Sequence, residues 1–419
     1  MRRKAVIKTK PFMYSLLLIL LIFEDVITHF IPIASYYDEV ITIGLFLLYI
    51  VNVFKRKGIP RKDASIIIIV IILLVIGFIG NTLSNVQNNV LLQVFDAFNA
   101  FKFVIAILGG ELLFNYRKDK KYIVEYTAVA VKFAIFISTI FMILNLFADI
   151  GMHTDYRYGI RAYNFIFTRV GDFYSSCVLW IIVLTASMFY KKKRSTMLFI
   201  ILALINMCSS MRSRAWGFAL LYVILYYAFC IRKEKEFKWW YLIPFALLIY
   251  FIAADQFSFY FSGDRARNVL LRYGILTAKN YFPFGSGFAT YGTAIAQQNY
   301  SELYHIYNFS AYWGLSAQYG SFLTDNYWPA VMAEFGFIGA GFMAVLIFKV
   351  IRKLVKMTDN PLSKTSVYFG FGTLLLASLA SSSFFSCTAL VVFLCLTCEL
   401  SNNYETSATG EGGSNRIWH

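Results

Sequence analysis

Apolar runs of membrane-spanning length recur along most of this 419-residue chain. A helix needs around 20 predominantly apolar residues to cross the ~30 Å hydrocarbon core of a bilayer. Because backbone polar groups in lipid must be satisfied within the segment, such runs fold as helices. We therefore expect an all-α polytopic membrane protein with about 12 transmembrane helices, give or take one or two, near residues 12–31, 39–54, 64–82, 91–114, 124–147, 173–190, 195–210, 215–231, 239–256, 328–350, 366–381 and 384–400.

The composition agrees with that expectation and argues against one class of protein. Hydrophobic residues make up 59% of the chain and charged residues 15%, whereas a soluble globular domain has about 45–50% apolar and about 25% charged residues. A net charge of +16 could by itself indicate a nucleic-acid-binding protein, but the basic residues lie in short segments between apolar runs. We therefore expect no nucleic-acid partner.

Lysines and arginines concentrate in alternate connections between the predicted spans. Of the 39 basic residues, 28 lie before the first span, at Arg416, or in the segments 55–62, 117–121, 191–194, 232–238 and 349–364. By the positive-inside rule these segments face the cytoplasm, where they can also contact anionic membrane lipid. Both termini are then cytoplasmic, and the outward-facing connections are 149–172, 211–214 and 257–327.

These assignments divide the chain into four parts. They are an N-terminal helix bundle over 1–256, an extracytoplasmic loop over 257–327, C-terminal transmembrane helices over 328–400, and a Ser/Gly/Asn-rich, disordered cytoplasmic tail over 401–419. Cys395 and Cys398 have the spacing of metal ligands, but no second pair or histidine lies nearby. We expect neither a metal site nor another cofactor.

Two arginines lie outside the membrane at the boundary between short spans, in the segment MRSRAWGF. Arg212 and Arg214 cannot act there as cytoplasmic topology signals, so each needs water or an anionic partner. The planar fork of arginine suits bidentate binding of phosphate oxygens. A diphosphate at the membrane surface fits this requirement, and so does the phosphate of an ordinary membrane lipid.

The large outer loop begins with further basic residues. The stretch RNVLLRYGILTAKNYF has the apolar spacing of an amphipathic helix that ends before a proline, and arginines occur at its start and within it, at Arg265, Arg267 and Arg272. A helix places Arg265 and Arg272 near one face. The segment PFGSGF follows, where Gly285 and Gly287 permit positive φ or close approach of the backbone to a ligand.

Aromatic residues crowd the rest of this loop. Tyr291 and Trp313 are two of nine tyrosines and tryptophans between 291 and 328. Aromatic belts at the membrane–water interface explain some of them. So many rings in one loop also suit stacking against sugars, with amides at 297–299 available to bind hydroxyl groups.

A carboxylate closes the loop. Asp325 and Asn326 come just before the next predicted span. A carboxylate beside arginines is a candidate general base, and it could equally cap the helix that starts at Tyr327. His305 is the alternative base within the loop.

Three segments resemble the O-antigen polymerase and ligase superfamily, and most closely the Wzy-type polymerases of oligosaccharide repeat units. They are RSRAWG, RNVLLRYGILTAKNYFPFGSGFATYGT and DNYWPAVMAEFGFIG, in that order after a multi-span region. The resemblance covers about 205–345 and is only topological elsewhere. It implies a GT-C-like glycosyltransferase that uses sugars carried on undecaprenyl diphosphate, at the outer face of the bacterial inner membrane, and needs no metal.

The resemblance also implies roles for individual residues. The arginines would hold the donor diphosphate and stabilise it as a leaving group. We assign catalysis to Asp325, Arg214 and Arg272, and substrate binding to Arg212, Arg265, Arg267, Gly285, Gly287, Tyr291, His305, Trp313 and Asn326. Ligases of the superfamily have a histidine at the start of the motif that begins here with Asp325, which argues against a ligase.

The sequence therefore predicts an enzyme that transfers a growing glycan from its lipid diphosphate to a hydroxyl of the next lipid-linked repeat unit. Its expected partners are these lipid-linked oligosaccharides, membrane lipid, a flippase and a chain-length regulator. Two alternatives stay open: a ligase that moves the finished glycan to another acceptor, and a flippase or transporter of the same lipid-linked sugars. Many transporters place function between internal repeats, and no repeat is evident here.

Overall fold

The computed structural model describes residues 8–115, 119–157, 159–190, 194–241, 243 and 263–400. The protein is 75% helical with almost no sheet, which confirms the all-α class. One antiparallel pair of short strands, β1 (His153–Arg157) and β2 (Ile160–Tyr163), lies in the connection that the sequence places outside the membrane.

The helices of the N-terminal half are α1 (Thr9–Ile22), α2 (Glu24–Phe30), α3 (Tyr37–Lys55), α4 (Arg61–Ser84), α5 (Val90–Ala100), α6 (Lys102–Asn115), α7 (Lys120–Phe147), α8 (Val170–Tyr190), α9 (Arg194–Ser209) and α10 (Ser213–Tyr226). Those that follow are α11 (Ala266–Asn280), α12 (Ala294–Gln298), α13 (Glu302–Ile306), α14 (Tyr327–Lys356), α15 (Pro361–Ala377) and α16 (Cys387–Leu400).

Six of the described helical segments are long and apolar enough to cross a membrane, or eight if each of two bent pairs is counted as one span. The bent pairs are α1 with α2, at 75°, and α5 with α6, at 57°. This establishes a membrane-embedded helical protein, while the count of 12 spans stays a prediction. The predicted span 239–256 falls almost wholly outside the described residues, as does the tail 401–419.

The basic connections meet at one end of the bundle, here called the basic end. Lys8 Nζ lies 2.7 Å from Asp119 Oδ1, Lys353 Nζ lies 2.5 Å from Asp63 Oδ1, and Lys364 Nζ donates to the Lys235 carbonyl at 2.8 Å. These contacts join segments that the charge pattern places on the same side of the membrane. That this side is the cytoplasmic one stays a prediction.

The opposite end, here called the loop end, carries the outer loop. Helix α4 runs from the basic end to the loop end, and its 24 residues extend for about 36 Å. Its last residue, Ser84, donates to the Ser286 carbonyl of the outer loop at 2.7 Å. The loop residues 263–326 fold into a compact unit whose own apolar core, shared with one residue of α14, is Val269, Leu270, Tyr291, Ala296, Leu303, Tyr304, Phe309, Leu315, Leu323 and Ala333.

A break in α14 fastens this loop unit to the bundle. Gly336 has φ 66° and ψ −178°, which interrupts the helix. A helical carbonyl accepts from the N–H four residues later, so the break releases the carbonyls of Ala333 and Glu334. They accept instead from Ser286 N at 2.8 Å and Gly287 N at 2.9 Å.

The other side of the same loop segment is held by α4. The Asn81 side chain donates to the Phe288 carbonyl at 2.9 Å and accepts from Phe288 N at 2.8 Å. The Phe288 ring is fully buried and packs edge-on against Phe335. Gly287, at φ 86°, lies so close to Asn81 that a Cβ would come within 2.3 Å of the Asn81 backbone nitrogen.

We predict that Gly336→Ala destabilises the protein. An alanine would have to hold a positive φ, and its Cβ would lie 2.3 Å from the Pro283 carbonyl oxygen. Backbone strain of this kind costs about 1–3 kcal/mol, and the clash adds to it. The measurement is the melting temperature of the detergent-purified protein. Gly341→Ala is the matched control, since its Cβ meets no atom within 4 Å. Equal melting temperatures for the two variants would contradict the role given to the break.

We also predict that the two ends label from opposite sides of the membrane. Ser310 in the loop unit and Ser195 at the start of α9 are both exposed. In cells stripped of any outer envelope, a membrane-impermeant maleimide should modify Ser310→Cys and leave Ser195→Cys unlabelled until the membrane is permeabilised. The unsubstituted chain gives the background from its six cysteines. The reverse pattern would overturn the predicted orientation.

Candidate functional site

Asp325 lies between the loop unit and the bundle, next to an arginine of α11. Arg267 Nη2 donates to Asp325 Oδ2 at 3.1 Å. The two side chains are only 15% and 23% exposed, so the pair is largely withdrawn from water. The structure thus brings together two residues that the sequence places 58 positions apart, and the contact joins the start of α11 to the start of α14.

Arg214 approaches the same region from α10. Its Nη1 donates to the Ala380 carbonyl at 3.3 Å, and its guanidinium lies over the ring of Tyr174, 5.9 Å from the centroid. Ala380 belongs to the turn after α15, and the neighbouring Ser378 carbonyl accepts from Tyr327 N at 3.3 Å. Arg214 and Asp325 therefore border the same turn.

The electrostatic balance around Asp325 sets its protonation. Burial raises the pKa of the Asp325 carboxyl above its ordinary value of 3.8. The positive charges of Arg267, Arg214 and Arg169 act in the opposite direction without cancelling that effect. A partly buried carboxylate with a raised pKa, flanked by guanidiniums, has the character of a general base beside an anion-binding site.

Asn326 connects the two helices that carry this pair. It occupies the N-cap position of α14, yet its side chain makes no cap hydrogen bond. Instead Asn326 Nδ2 donates to the Arg267 carbonyl at 2.9 Å. The alternative that Asp325 serves to cap this helix is therefore wrong, because its carboxylate is turned to Arg267 rather than to the first turn of α14.

Arg212 has a different environment from Arg214. Its Nη2 lies 2.9 Å from Asp155 Oδ1 in β1. Burial acts to raise the pKa of Asp155, but its bonds to Arg157 and other partners and the charge of Arg212 outweigh that effect and lower the pKa. Arg212 thus holds the strand pair against the start of α10, while its assignment to substrate binding stays a prediction.

Arg265 and Arg272, the other two arginines at the start of the loop unit, do not contact Asp325. The expected helix forms as α11, and Arg272 follows Arg267 by five positions, which places the two side chains about 140° apart around the axis. Arg272 is 56% exposed and lies 3.9 Å from Asp264. Arg265 is exposed at the N-cap of α11. Of the three arginines, Arg267 is the one that contacts Asp325.

Gly285, Gly287 and Tyr291 are all buried inside the protein. The glycines have φ 77° and 86°, and they approach the backbones of α14 and α4 rather than open space. The Tyr291 ring is in the core of the loop unit, where its hydroxyl donates to the Leu270 carbonyl at 2.7 Å. Packing inside the protein thus accounts for the presence of these three residues. Their contact with substrate stays a prediction.

His305 and Trp313 lie on the surface of the loop unit. His305 is exposed and packs edge-on against Tyr300 with ring centroids 4.8 Å apart. Trp313 is 82% exposed, with one face tilted against Phe322 at 5.2 Å. Both rings are available to a ligand, and neither forms part of the contacts around Asp325.

The sequence assigned no role in catalysis or substrate binding to three further residues that the structure brings to the site or to the loop segment. Arg169 acts electrostatically on Asp325, and the signal for it is the one used for Arg214, an arginine in an outward connection where a span begins. Glu334 Oε1 accepts from Thr290 N at 3.1 Å, and Asp96 Oδ2 accepts from Ala289 N at 2.8 Å. These two carboxyl groups hold the buried backbone of the loop segment.

One group of potential metal ligands occurs among the described residues. Glu24, Asp38 and Cys387 present ligand atoms within 4.8 Å of one another. Lys102 Nζ lies 2.6 Å from Asp38 Oδ2, so a lysine already balances this cluster. Asp96 and Lys102 are ionisable residues within predicted spans, so the sequence suggests that they could pair inside the bundle. The structure contradicts that pairing, because Lys102 contacts Asp38 and Asp96 accepts from Ala289 N.

No protein-family model and no curated protein matches this chain. The structure itself defines the class, a membrane-embedded and predominantly helical protein that carries a folded loop unit at one end. The loop unit meets the bundle where Asp325 and Asn326 contact Arg267, a boundary here called the seam. There a largely buried carboxylate is flanked by arginines from separate parts of the chain.

Proposed function

We propose that this protein is a bacterial inner-membrane glycosyltransferase that polymerises oligosaccharide repeat units carried on undecaprenyl diphosphate. The observation that supports the proposal most directly is the placement of Asp325. Its carboxylate contacts Arg267 and lies within electrostatic range of Arg214 and Arg169, at the end of the bundle that the charge pattern places outside the cell.

In the proposed reaction, Asp325 accepts the proton of an acceptor hydroxyl, and the hydroxyl oxygen forms a bond to the anomeric carbon of the donor glycan. The bond between that carbon and the diphosphate oxygen breaks, and the diphosphate leaves with the electron pair. Its growing negative charge needs fixed positive partners in a site poor in water. The guanidiniums of Arg267 and Arg214 are placed to supply them.

Arg214 is well suited to the diphosphate. A guanidinium has five N–H donors, and Arg214 uses one of them on the Ala380 carbonyl. Within the described part of the chain its remaining donors make no other hydrogen bond that fixes them. Arg267 is instead committed to Asp325, so an incoming diphosphate competes for it and leaves the carboxylate more basic at the moment of transfer.

We predict that Asp325→Asn abolishes most polymerisation without unfolding the protein. The amide keeps the size of the side chain and can still accept from Arg267, but it cannot take a proton. Turnover should fall by roughly 10²–10⁴-fold, the range of general acid–base catalysis. The assay is polymer formation by the purified protein with lipid-linked repeat units from its own host. Asp264→Asn is the control, because Asp264 is 74% exposed. An Asp325→Asn enzyme with wild-type turnover would eliminate Asp325 as the base.

We predict an acidic limb in the pH–rate profile that depends on Arg267. The base works only when ionised, and the pKa of Asp325 is raised above 3.8, so turnover should fall as pH drops through that raised value. Arg267→Ala removes the nearest cation, raises the pKa further and should shift the limb to higher pH. Arg272→Ala should leave the limb in place whatever it does to the rate. An unmoved limb in Arg267→Ala would mean that another group titrates.

A further inference from the structure

A cavity of about 660 Å³ opens at the basic end, far from Asp325. It lies between the start of α4, the end of α6 and the last turns of α14. Five of its lining side chains are basic: Lys62, Lys349, Arg352, Lys353 and Lys356. The cavity has no part in the chemistry proposed for the loop end, since the length of α4 separates the two.

Four of these cations form one stripe on α14. Positions 349, 352, 353 and 356 are spaced i, i+3, i+4 and i+7, so their side chains share one helix face. Like charges at this spacing repel one another. The positive-inside rule explains why basic residues occur at this end, but it does not require them to line one face around a cavity.

Part of this charge is neutralised inside the protein. Lys353 Nζ lies 2.5 Å from Asp63 Oδ1 and 2.7 Å from Glu111 Oε2, and Lys62 contacts the other oxygen of Glu111. Among the residues that the structure describes, Lys349, Arg352 and Lys356 form no ion pair. Asp63 and Glu111 therefore neutralise the positive charges of Lys62 and Lys353. No carboxylate of the described chain neutralises the other three cations.

The remaining wall of the cavity is apolar. Val345, Phe348 and Met357 line it, and Phe348 is 61% exposed, on a helix long and apolar enough to cross the membrane. A ligand that satisfies both parts has an anionic head for the three cations and a hydrocarbon chain for the wall. A basic pocket between transmembrane helices at the level of the head groups is the setting in which anionic phospholipids bind.

We propose that this cavity binds the phosphate head group of an anionic phospholipid, with Lys349, Arg352 and Lys356 holding the phosphate and Phe348 lying along an acyl chain. The lipid fixes the end of α14 whose other end carries Asn326. This site is independent of the proposed glycosyl transfer, so a measurement of lipid binding tests it without any measurement of enzyme activity.

The test is a binding titration of the full-length protein in a neutral detergent, with bound lipid counted by native mass spectrometry. Dioleoylphosphatidylglycerol should bind at one saturable site, and dioleoylphosphatidylcholine should not compete for it. The triple variant Lys349→Gln, Arg352→Gln, Lys356→Gln should bind roughly 100-fold more weakly, since each basic residue near the membrane surface contributes roughly a fivefold factor.

A second triple variant, Lys55→Gln, Lys121→Gln, Lys235→Gln, is the matched control. It removes the same charge from exposed positions at the same end and should bind as the parent does. Equal loss in both variants, or none in either, would overturn the site. Inorganic phosphate at millimolar concentration should not displace the lipid; displacement would assign the site to free phosphate instead. If the cavity triple variant does not fold, Arg352→Gln alone, with an expected fivefold loss, gives the same comparison.

Discussion

Two carbonyl groups released by a break in the first third of a membrane helix are the constraint on which the rest of the protein depends. A break at Gly336 leaves the carbonyls of Ala333 and Glu334, two fully buried residues, without helical partners, and a buried carbonyl without a hydrogen bond is costly. The loop segment at Ser286 and Gly287 satisfies them. The break and the loop therefore require each other, and the outer unit is held to the bundle by main-chain hydrogen bonds rather than by side chains alone.

The candidate site is a consequence of that attachment. Helix α14 carries Asp325 just before its first turn, and α11 leads directly into the segment that docks at the break. Fixing the segment at both Glu334 and Asn81 fixes the position of α11, and with it Arg267. The bond from Asn326 to the Arg267 carbonyl then completes the seam. The carboxylate and its arginines meet because the loop is anchored to α14 at Ala333 and Glu334, a little more than two helical turns beyond Asp325.

The sequence predicts much of this protein, because hydropathy and charge act locally. The helical class, the six described segments long and apolar enough to cross a membrane, and the helix α11 follow from apolar spacing. The site residues are harder to predict. Spacing along α11 groups Arg265 with Arg272, yet the contact with Asp325 is made by Arg267, since tertiary packing decides which face meets α14. Likewise nothing near Lys102 in sequence indicates Asp38, 64 positions away, as its partner.

The hydrogen bonds between Asn81 and Phe288 span 207 residues, and this separation has a consequence for biogenesis. At a synthesis rate of ~5–20 residues per second, about 10–40 s pass between the emergence of one partner and the other. Through that interval α4 is in the membrane with a polar amide and no loop to receive it. The loop unit can attach to the bundle only after α14 has been made. A nascent chain that stops before Glu334 lacks the carbonyl that accepts from Gly287 N.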